Sequence, residues 1–313
     1  MTNSKENPIQ HLTDIKTLSR EQIEELFQTA DTLQKTPIKD SQQWHQGKSA
    51  MALFFENSTR TMTSFQLACQ RLGVDITALN IAHSSTQKGE SLKDTIEILN
   101  AMQTDLFIIR HQENHIHQQF LDWKLADEAG NKTSIINAGD GSNQHPTQGL
   151  LDLYTIKQHK PDFKKLKVSI IGDIKHSRVA NSLLDGLNIM GTSQINVYGP
   201  DSFIPESAKG LKTNSMPDAL TDCDVVVMLR IQKERIDKGN EVDYDSWHQN
   251  YGLNLENLKL AKPDAIVMHP GPINRGIEIS SEVADGPQSV ILEQVKNGVL
   301  IRQALIHHIL NQH

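Results

Sequence analysis

Short apolar runs recur along this chain, each closing on polar or charged residues before a helix-like pattern begins. They fall at 49–55, 75–79, 105–109 and 134–137, and again at 167–172, 194–198, 224–229 and 265–268. Helical spacing fills the stretches near 20–33, 62–72, 91–102, 114–126, 146–159, 177–190 and 288–310. Strands separated by helices imply parallel sheets, because a helical crossover carries the chain back to the end of the sheet where the previous strand began. The expected fold is therefore α/β, with two doubly wound parallel-sheet domains and helices on both faces. A chain of 313 residues suits two ordinary domains. The expected division is 1–145 plus 288–313 for the first domain, a connecting helix over 146–160, and 161–287 for the second. The last helix rejoins the first domain because Val290, Ile291, Val295, Val299, Leu300, Ala304 and Leu305 give it enough apolar surface to clamp.

Doubly wound sheets bind ligands at the carboxyl ends of their strands. The polar clusters of this chain, at Ser58–Thr61, Arg110, His145 with Gln148, Arg178, Arg230 with Gln232, and Pro270–Pro272, each follow a predicted strand within a few residues. The active site is accordingly expected in the cleft between the two domains.

The densest cluster is Phe54-Phe-Glu-Asn-Ser-Thr-Arg-Thr61, with helical spacing from Met62 to Leu72 and a stop at Gly73. At such a strand-to-helix turn the first N–H groups lack partners and the helix dipole is positive. A serine, two threonines and an arginine can then converge on one anion. No G-x-x-x-x-G-K-[ST] run occurs, so this is not the glycine-rich phosphate loop. From spacing alone the segment fits a phosphate cradle and equally an N-cap serine beside an exposed arginine. Ile170–Val179 offers only Gly172 where a dinucleotide fingerprint needs three glycines, which argues against a nicotinamide site. Arg178 opens the following helix, where it can grip a carboxylate or simply lie on the helix surface. Ser84 and Lys88 lie in a polar segment, 80–90, that by itself reads as a surface loop.

Taken together, these strings resemble the aspartate and ornithine carbamoyltransferase family. The octapeptide is similar to its carbamoyl-phosphate signature. Ser84 with Lys88-Gly-Glu90, Arg110-His111, Asn137–Gln148, Ile170–Val179, Leu229–Arg235 and Met268–Gly276 follow in family order. The resemblance implies that Ser58, Thr59, Arg60 and Thr61 hold the phosphate, joined by Ser84 and Arg110. Thr61, Arg110 and His145 would polarise the carbonyl oxygen, His145 as a hydrogen-bond donor rather than as general base. Arg60, Thr61, Arg110 and His145 are the expected catalytic groups. Gln148 and the carbonyls of Pro270 and Gly271 would take the carbamoyl NH2, with Pro272 fixing that loop. Lys88, Arg178, Arg230 and Gln232 would hold the second substrate.

That substrate is expected to be aspartate. Ornithine enzymes of the family carry a Ser-Met-Gly loop and a His-Cys-Leu-Pro segment, where this chain has Arg230-Ile-Gln232 and His269-Pro-Gly-Pro272. Two arginines suit a dicarboxylate and repel a cationic side chain. The rivals are the ornithine enzyme and a non-catalytic scaffold partner of dihydroorotase, which should have lost cradle or arginine positions. Asn57 and Met62 depart from many relatives at positions that contact nothing in the implied site, and Gly271 replaces a larger apolar residue, which bears on loop rigidity.

The family also implies a homotrimer in which Ser84 and Lys88 enter the neighbouring subunit's site, and it leaves open a regulatory chain or dihydroorotase as further partner. No cofactor and no metal are expected: Cys69 and Cys223 stand apart from any C-x-x-C or His/Cys cluster, and His307-His308 suit a partly exposed helix face. A net charge of −7 argues against a nucleic-acid surface. No apolar run approaches a membrane span and Met1–Gln10 lacks a signal peptide's apolar core, so the expected location is cytoplasmic.

Overall fold

The computed structural model describes residues 8–80, 91–123, 133–232 and 243–312. Its chain divides into two compact units, Met1–Leu150 with Gly298–His313, and Leu151–Asn297.

In the first unit, α1 (Arg20–Lys35) opens on a capping box in which the Ser19 hydroxyl accepts from Gln22 N–H and the Gln22 side chain accepts from Ser19 N–H. After α2 (Ile38–Ser41) come β1 (Ser49–Phe54), α3 (Thr59–Gln70), β2 (Asp75–Asn80), α4 (Leu92–Ala101), β3 (Leu106–His111), α5 (Ile116–Asp122) and β4 (Ser134–Asp140). The strands are all parallel in the order β2-β1-β3-β4. Leu53, Phe107, Ile109 and Ile135 pack with Ile96, Ile116 and Phe120 from α4 and α5. The alternate residues Ala52, Phe54, Ile108 and Ile136 are fully buried too, so both faces of this sheet are covered.

The second unit takes over within α6 (Pro146–His159), followed by β5 (Lys167–Ile171), α7 (Arg178–Met190), β6 (Gln194–Tyr198), α8 (Met216–Leu220), β7 (Val225–Met228), α9 (Tyr244–Tyr251), α10 (Leu255–Leu258), β8 (Ile266–Met268), α11 (Ser281–Ala284) and α12 (Ile291–Leu310). Its parallel strands run in the order β6-β5-β7-β8. The chain leaves it through α12, which passes into the first unit between Asn297 and Gly298.

Each sheet is wound one way from its first strand and then the other, so the winding reverses between β1 and β3 and again between β5 and β7. Crevices beyond the carboxyl ends of strands at such reversals are where open α/β sheets receive ligands.

Two strands run further than their apolar composition suggests. Arg110 was expected just outside β3, yet the ladder continues through it: its carbonyl accepts from Phe55 N–H at 2.9 Å, and it is only 6% exposed. Likewise β4 runs past Asn137 to Asp140, which pairs with His111. Hydrogen bonding to a neighbouring strand, which periodicity cannot see, sets both ends. Cys69 and Cys223 are free and buried, and burial pushes the Cys69 thiol up to about 12.

Candidate active site

The first unit assembles its polar groups around the β1/β3 reversal. Ser58 stands at the N-cap position of α3, but its hydroxyl caps nothing, and no acidic residue occupies the first turn. The positive end of the helix dipole is thus uncompensated by its own sequence, and an anion suits it. Thr59 and Arg60 are exposed there and Thr61 is buried. Ser58 thus does not cap the helix through its hydroxyl, while Arg60 is exposed as the alternative reading of the segment has it.

Arg110 sits one strand away, in register with Phe54. Its Nη1 donates to the Ala138 carbonyl at 3.2 Å and its Nη2 to Glu56 Oε1 at 3.1 Å. Held on both sides, the guanidinium gives up little rotamer freedom when it meets an anion.

The loop after β4 is organised by Asp140, 1% exposed. Its carboxylate accepts from Asn137 Nδ2 at 2.9 Å, Gln144 N–H at 3.1 Å, Asn143 Nδ2 at 2.9 Å and His115 N–H at 2.7 Å. With the loop so pinned, His145 and Gln148 fall at the first turn of α6, where Gln148 N–H donates to the His145 carbonyl at 2.9 Å. His145 is 5% exposed.

The second unit repeats the plan at the β5/β7 reversal. Gly172 directly follows β5 with φ +126°, and a side chain there would run into the carbonyl of Leu229, which directly follows β7. Its glycine therefore serves strand packing rather than a dinucleotide. Arg178 is the first residue of α7, behind the capping serine Ser177, and is only 7% exposed. The surface-arginine reading is thereby corrected: the side chain is buried in the unit at the strand ends. Across the reversal, Arg230 Nη2 donates to Gln232 Oε1 at 3.0 Å, and Gln232 N–H donates to Asp173 Oδ2 at 3.1 Å. Pro270, Gly271 and Pro272 follow β8, with a cis Gly271–Pro272 peptide and Gly271 at φ +65°. The left-handed φ suits glycine and strains larger residues, so the substitution suspected of loosening this loop fits its backbone instead.

Ser84 and Lys88 lie outside the described residues. The supports Glu56, Asp140 and Asp173 were not singled out from sequence, although all three fall inside the quoted motifs; an acidic residue at a strand end was the available signal. Among the described residues no group of three or more His, Cys, Asp or Glu is arranged to hold a metal, and no helix is long and apolar enough to cross a membrane.

Residues 10–158 match the sequence model of the aspartate/ornithine carbamoyltransferase carbamoyl-P binding domain, and residues 164–309 match that of the Asp/Orn binding domain. The aspartate carbamoyltransferase catalytic subunit of Coxiella burnetii strain CbuK_Q154 is 47% identical over 301 residues, covering 95% of this chain and 94% of the relative. The crystal structure of aspartate transcarbamoylase from Trypanosoma cruzi with N-(phosphonacetyl)-L-aspartic acid is similar at TM-score 0.82 and 29% identity, over 96% of this chain and 95% of that one. At 22% identity and TM-score 0.79, over 96% of this chain and 99% of that one, the ornithine carbamoyltransferase of Thermus thermophilus shares the fold. Two family domains in tandem, laid on two sheets whose winding reversals carry the family's polar residues, establish that the chain belongs to the aspartate/ornithine carbamoyltransferase family.

Proposed function

We propose that this chain transfers the carbamoyl group of carbamoyl phosphate to the α-amine of L-aspartate, giving N-carbamoyl-L-aspartate and phosphate, the second step of de novo pyrimidine biosynthesis. The observation that carries the choice of aspartate is the placing of Arg178 and Arg230 on either side of the β5/β7 reversal. Two fixed guanidinium groups match two carboxylates and repel the terminal cation of ornithine. The Coxiella relative bears the aspartate name, and a Trypanosoma cruzi relative of 28% identity was crystallised with carbamoyl aspartate and phosphate.

In the reaction the neutral amine attacks the carbonyl carbon and a tetrahedral oxyanion forms. The amine then passes a proton to the departing phosphate as the bond from carbon to the phosphate oxygen breaks. Ser58, Thr59, Arg60 and Thr61 hold the phosphate at the start of α3. Arg110, Thr61 and His145 donate to the carbonyl oxygen and stabilise its growing charge. Gln148 and the carbonyls of Pro270 and Gly271 orient the NH2 group, while Arg178, Arg230 and Gln232 hold aspartate. No step needs a covalent intermediate: positioning and preorganised donors supply the acceleration.

The same reading has the protein working as a cytoplasmic homotrimer, with Ser84 and Lys88 reaching into a neighbouring subunit's site. Two free, buried thiols are in keeping with a reducing compartment.

The test is colorimetric detection of ureido product from carbamoyl phosphate with L-aspartate, with L-ornithine in a parallel tube. Product with aspartate alone is expected. Product with ornithine alone would overturn the substrate assignment. No product from either, in a protein that phosphate still stabilises against heat, would favour a scaffold role.

A further inference from the structure

His269 and Glu278 form a pair sealed from solvent, at 1% and 0% exposure, directly behind the Pro270–Pro272 loop. Gly271 N–H donates to His269 Nδ1 at 2.8 Å, so Nδ1 is the acceptor nitrogen and carries no proton. The ring proton therefore sits on Nε2, which lies 3.0 Å from Glu278 Oε1 and donates to it. The same oxygen accepts from Asn274 N–H at 2.6 Å. On the far side, His269 N–H donates to Gln294 Oε1 at 2.9 Å, and Gln294 Nε2 donates to Asp152 Oδ1 at 2.8 Å.

This chain of contacts has a direction. Asp152 orients the Gln294 amide, Gln294 anchors the His269 backbone, and Glu278 selects the tautomer of the His269 ring. Only that tautomer leaves Nδ1 able to receive Gly271 N–H; the other would set two donors face to face. Glu278 Oε2 is buried with no hydrogen-bond partner among the described residues. An unsatisfied buried carboxylate oxygen costs stability, and an apolar residue of like size would avoid that cost. What the pair delivers in exchange is the orientation of two backbone amides, Gly271 and Asn274, that bracket the loop.

We propose that His269, set in its Nε2–H tautomer by Glu278, is a positioning residue that fixes the peptide plane between Pro270 and Gly271 and so aims the Pro270 carbonyl, which lies in that plane, at the carbamoyl NH2. The inference rests on the reading of this loop as the carbamoyl-amide site. His269 does not touch substrate; it acts through the Gly271 amide.

Two substitutions divide the ring's functions. In His269→Asn the amide oxygen lies near the Nδ1 position and still accepts from Gly271 N–H, but the side chain does not reach Glu278. In His269→Gln the longer side chain reaches Glu278 and misses Gly271. Each loses one hydrogen bond of the same buried ring, so a purely structural role would penalise both alike.

With purified full-length protein, kcat, the KM for carbamoyl phosphate and thermal stability are measured for both variants. The expected result is a kcat for His269→Gln about tenfold below that of His269→Asn at comparable stability, with the difference in kcat rather than KM. Equal kcat values, or a lower value for His269→Asn, would overturn the proposal. Should neither variant fold, 15N NMR of the histidine-labelled wild-type protein decides: a His269 ring protonated at Nε2 alone is expected, and a proton on Nδ1 would overturn it. A wild-type enzyme that makes no carbamoyl aspartate would instead sink the functional reading, while the NMR result would still report the tautomer.

Discussion

Arg110 and Glu56 form an ion pair, Nη2 to Oε1 at 3.1 Å, that holds a guanidinium at the point where the first sheet reverses its winding. The other prong of the arginine is tied to the Ala138 carbonyl of β4. Three neighbouring strand ends thus share one cation, aimed before any substrate arrives. If that cation stabilises the oxyanion, Arg110→Ala should lower kcat/KM by about 10²–10³, the usual loss for one oxyanion donor. Arg110→Lys should recover little, because an ammonium on a flexible stem cannot make both bonds of the fork. Steady-state kinetics with both substrates varied would check this, and full activity in the lysine variant would contradict it.

The two arginines of the second unit should affect one substrate only. Arg178→Ala and Arg230→Ala are each expected to raise the KM for aspartate by about tenfold or more, leaving the KM for carbamoyl phosphate within about twofold. The groups proposed for the phosphate all belong to the other unit, which is why the effects should separate. A parallel rise in both constants would argue that these arginines hold the fold rather than aspartate.

The sharing of Ser84 and Lys88 between subunits is tested by complementation. Lys88→Ala and Arg60→Ala proteins should each be nearly inactive alone. Mixed under conditions that exchange subunits, they should regain activity, because a hybrid trimer contains some sites that receive an intact Arg60 from one chain and an intact Lys88 from the next. Mass-verified exchange without recovery would place all site residues in one chain.

The candidate site could be read as a set because its residues sit in contiguous strings at strand ends, and strand ends are announced by apolar runs. The Ser19 capping box and the Ser91 cap of α4, whose hydroxyl accepts from Asp94 N–H, are likewise local, each joining residues three apart. What escaped was long-range. The extension of β3 through Arg110 depends on the edge of β1, and β4 reaches Asp140 because His111 pairs with it. Burial of Arg178 is set by packing around α7, which no helical spacing reports. The His269–Glu278 pair joins residues nine apart that no alternation or motif logic links. Local chemistry was in the string; partner choice across strands was in the fold.

Arg302 links the last helix to α3, at whose start Ser58–Thr61 stand. Its Nη1 donates to Ser64 Oγ at 2.7 Å and to the Gly298 carbonyl at 3.1 Å, and its guanidinium carbon lies 4.9 Å from the centre of the Phe65 ring. At 4% exposure these contacts are not screened by water. Arg302→Ala should destabilise the fold by about 3 kcal/mol, combining lost bonds, lost stacking and a cavity. Ser64→Ala should cost about 1 kcal/mol, as one bond is lost while the arginine keeps its others. Urea unfolding of both variants would check the order, and a larger cost for Ser64→Ala would refute it.

The carboxyl end of α12 carries a histidine cluster that should make stability depend on pH. His307 Nδ1 and His45 Nε2 are 2.9 Å apart, and His308 Nε2 is 2.8 Å from Thr29 Oγ1. Trp44 packs against the His307 ring, Asn311 bonds its other nitrogen, and Lys48 and Glu25 are the charged neighbours of His45 and His308. Burial first, then the neighbouring His45 and His308, pull His307 down from 6.5 to about 4. Since the folded value is depressed, the unfolded chain takes up the proton first as pH drops. Stability should be whole above 6.5 and decline as pH falls through the window down to about 4. Burial lowers His45 and His308 as well, with Lys48 reinforcing the shift at His45 and Glu25 opposing it at His308, so they add to the decline in the same direction. Urea midpoints taken near pH 7 and near pH 5 should therefore differ, and His307→Asn should narrow the gap even though it loses a contact at both values. An undiminished gap in that variant would assign the acid sensitivity to other groups.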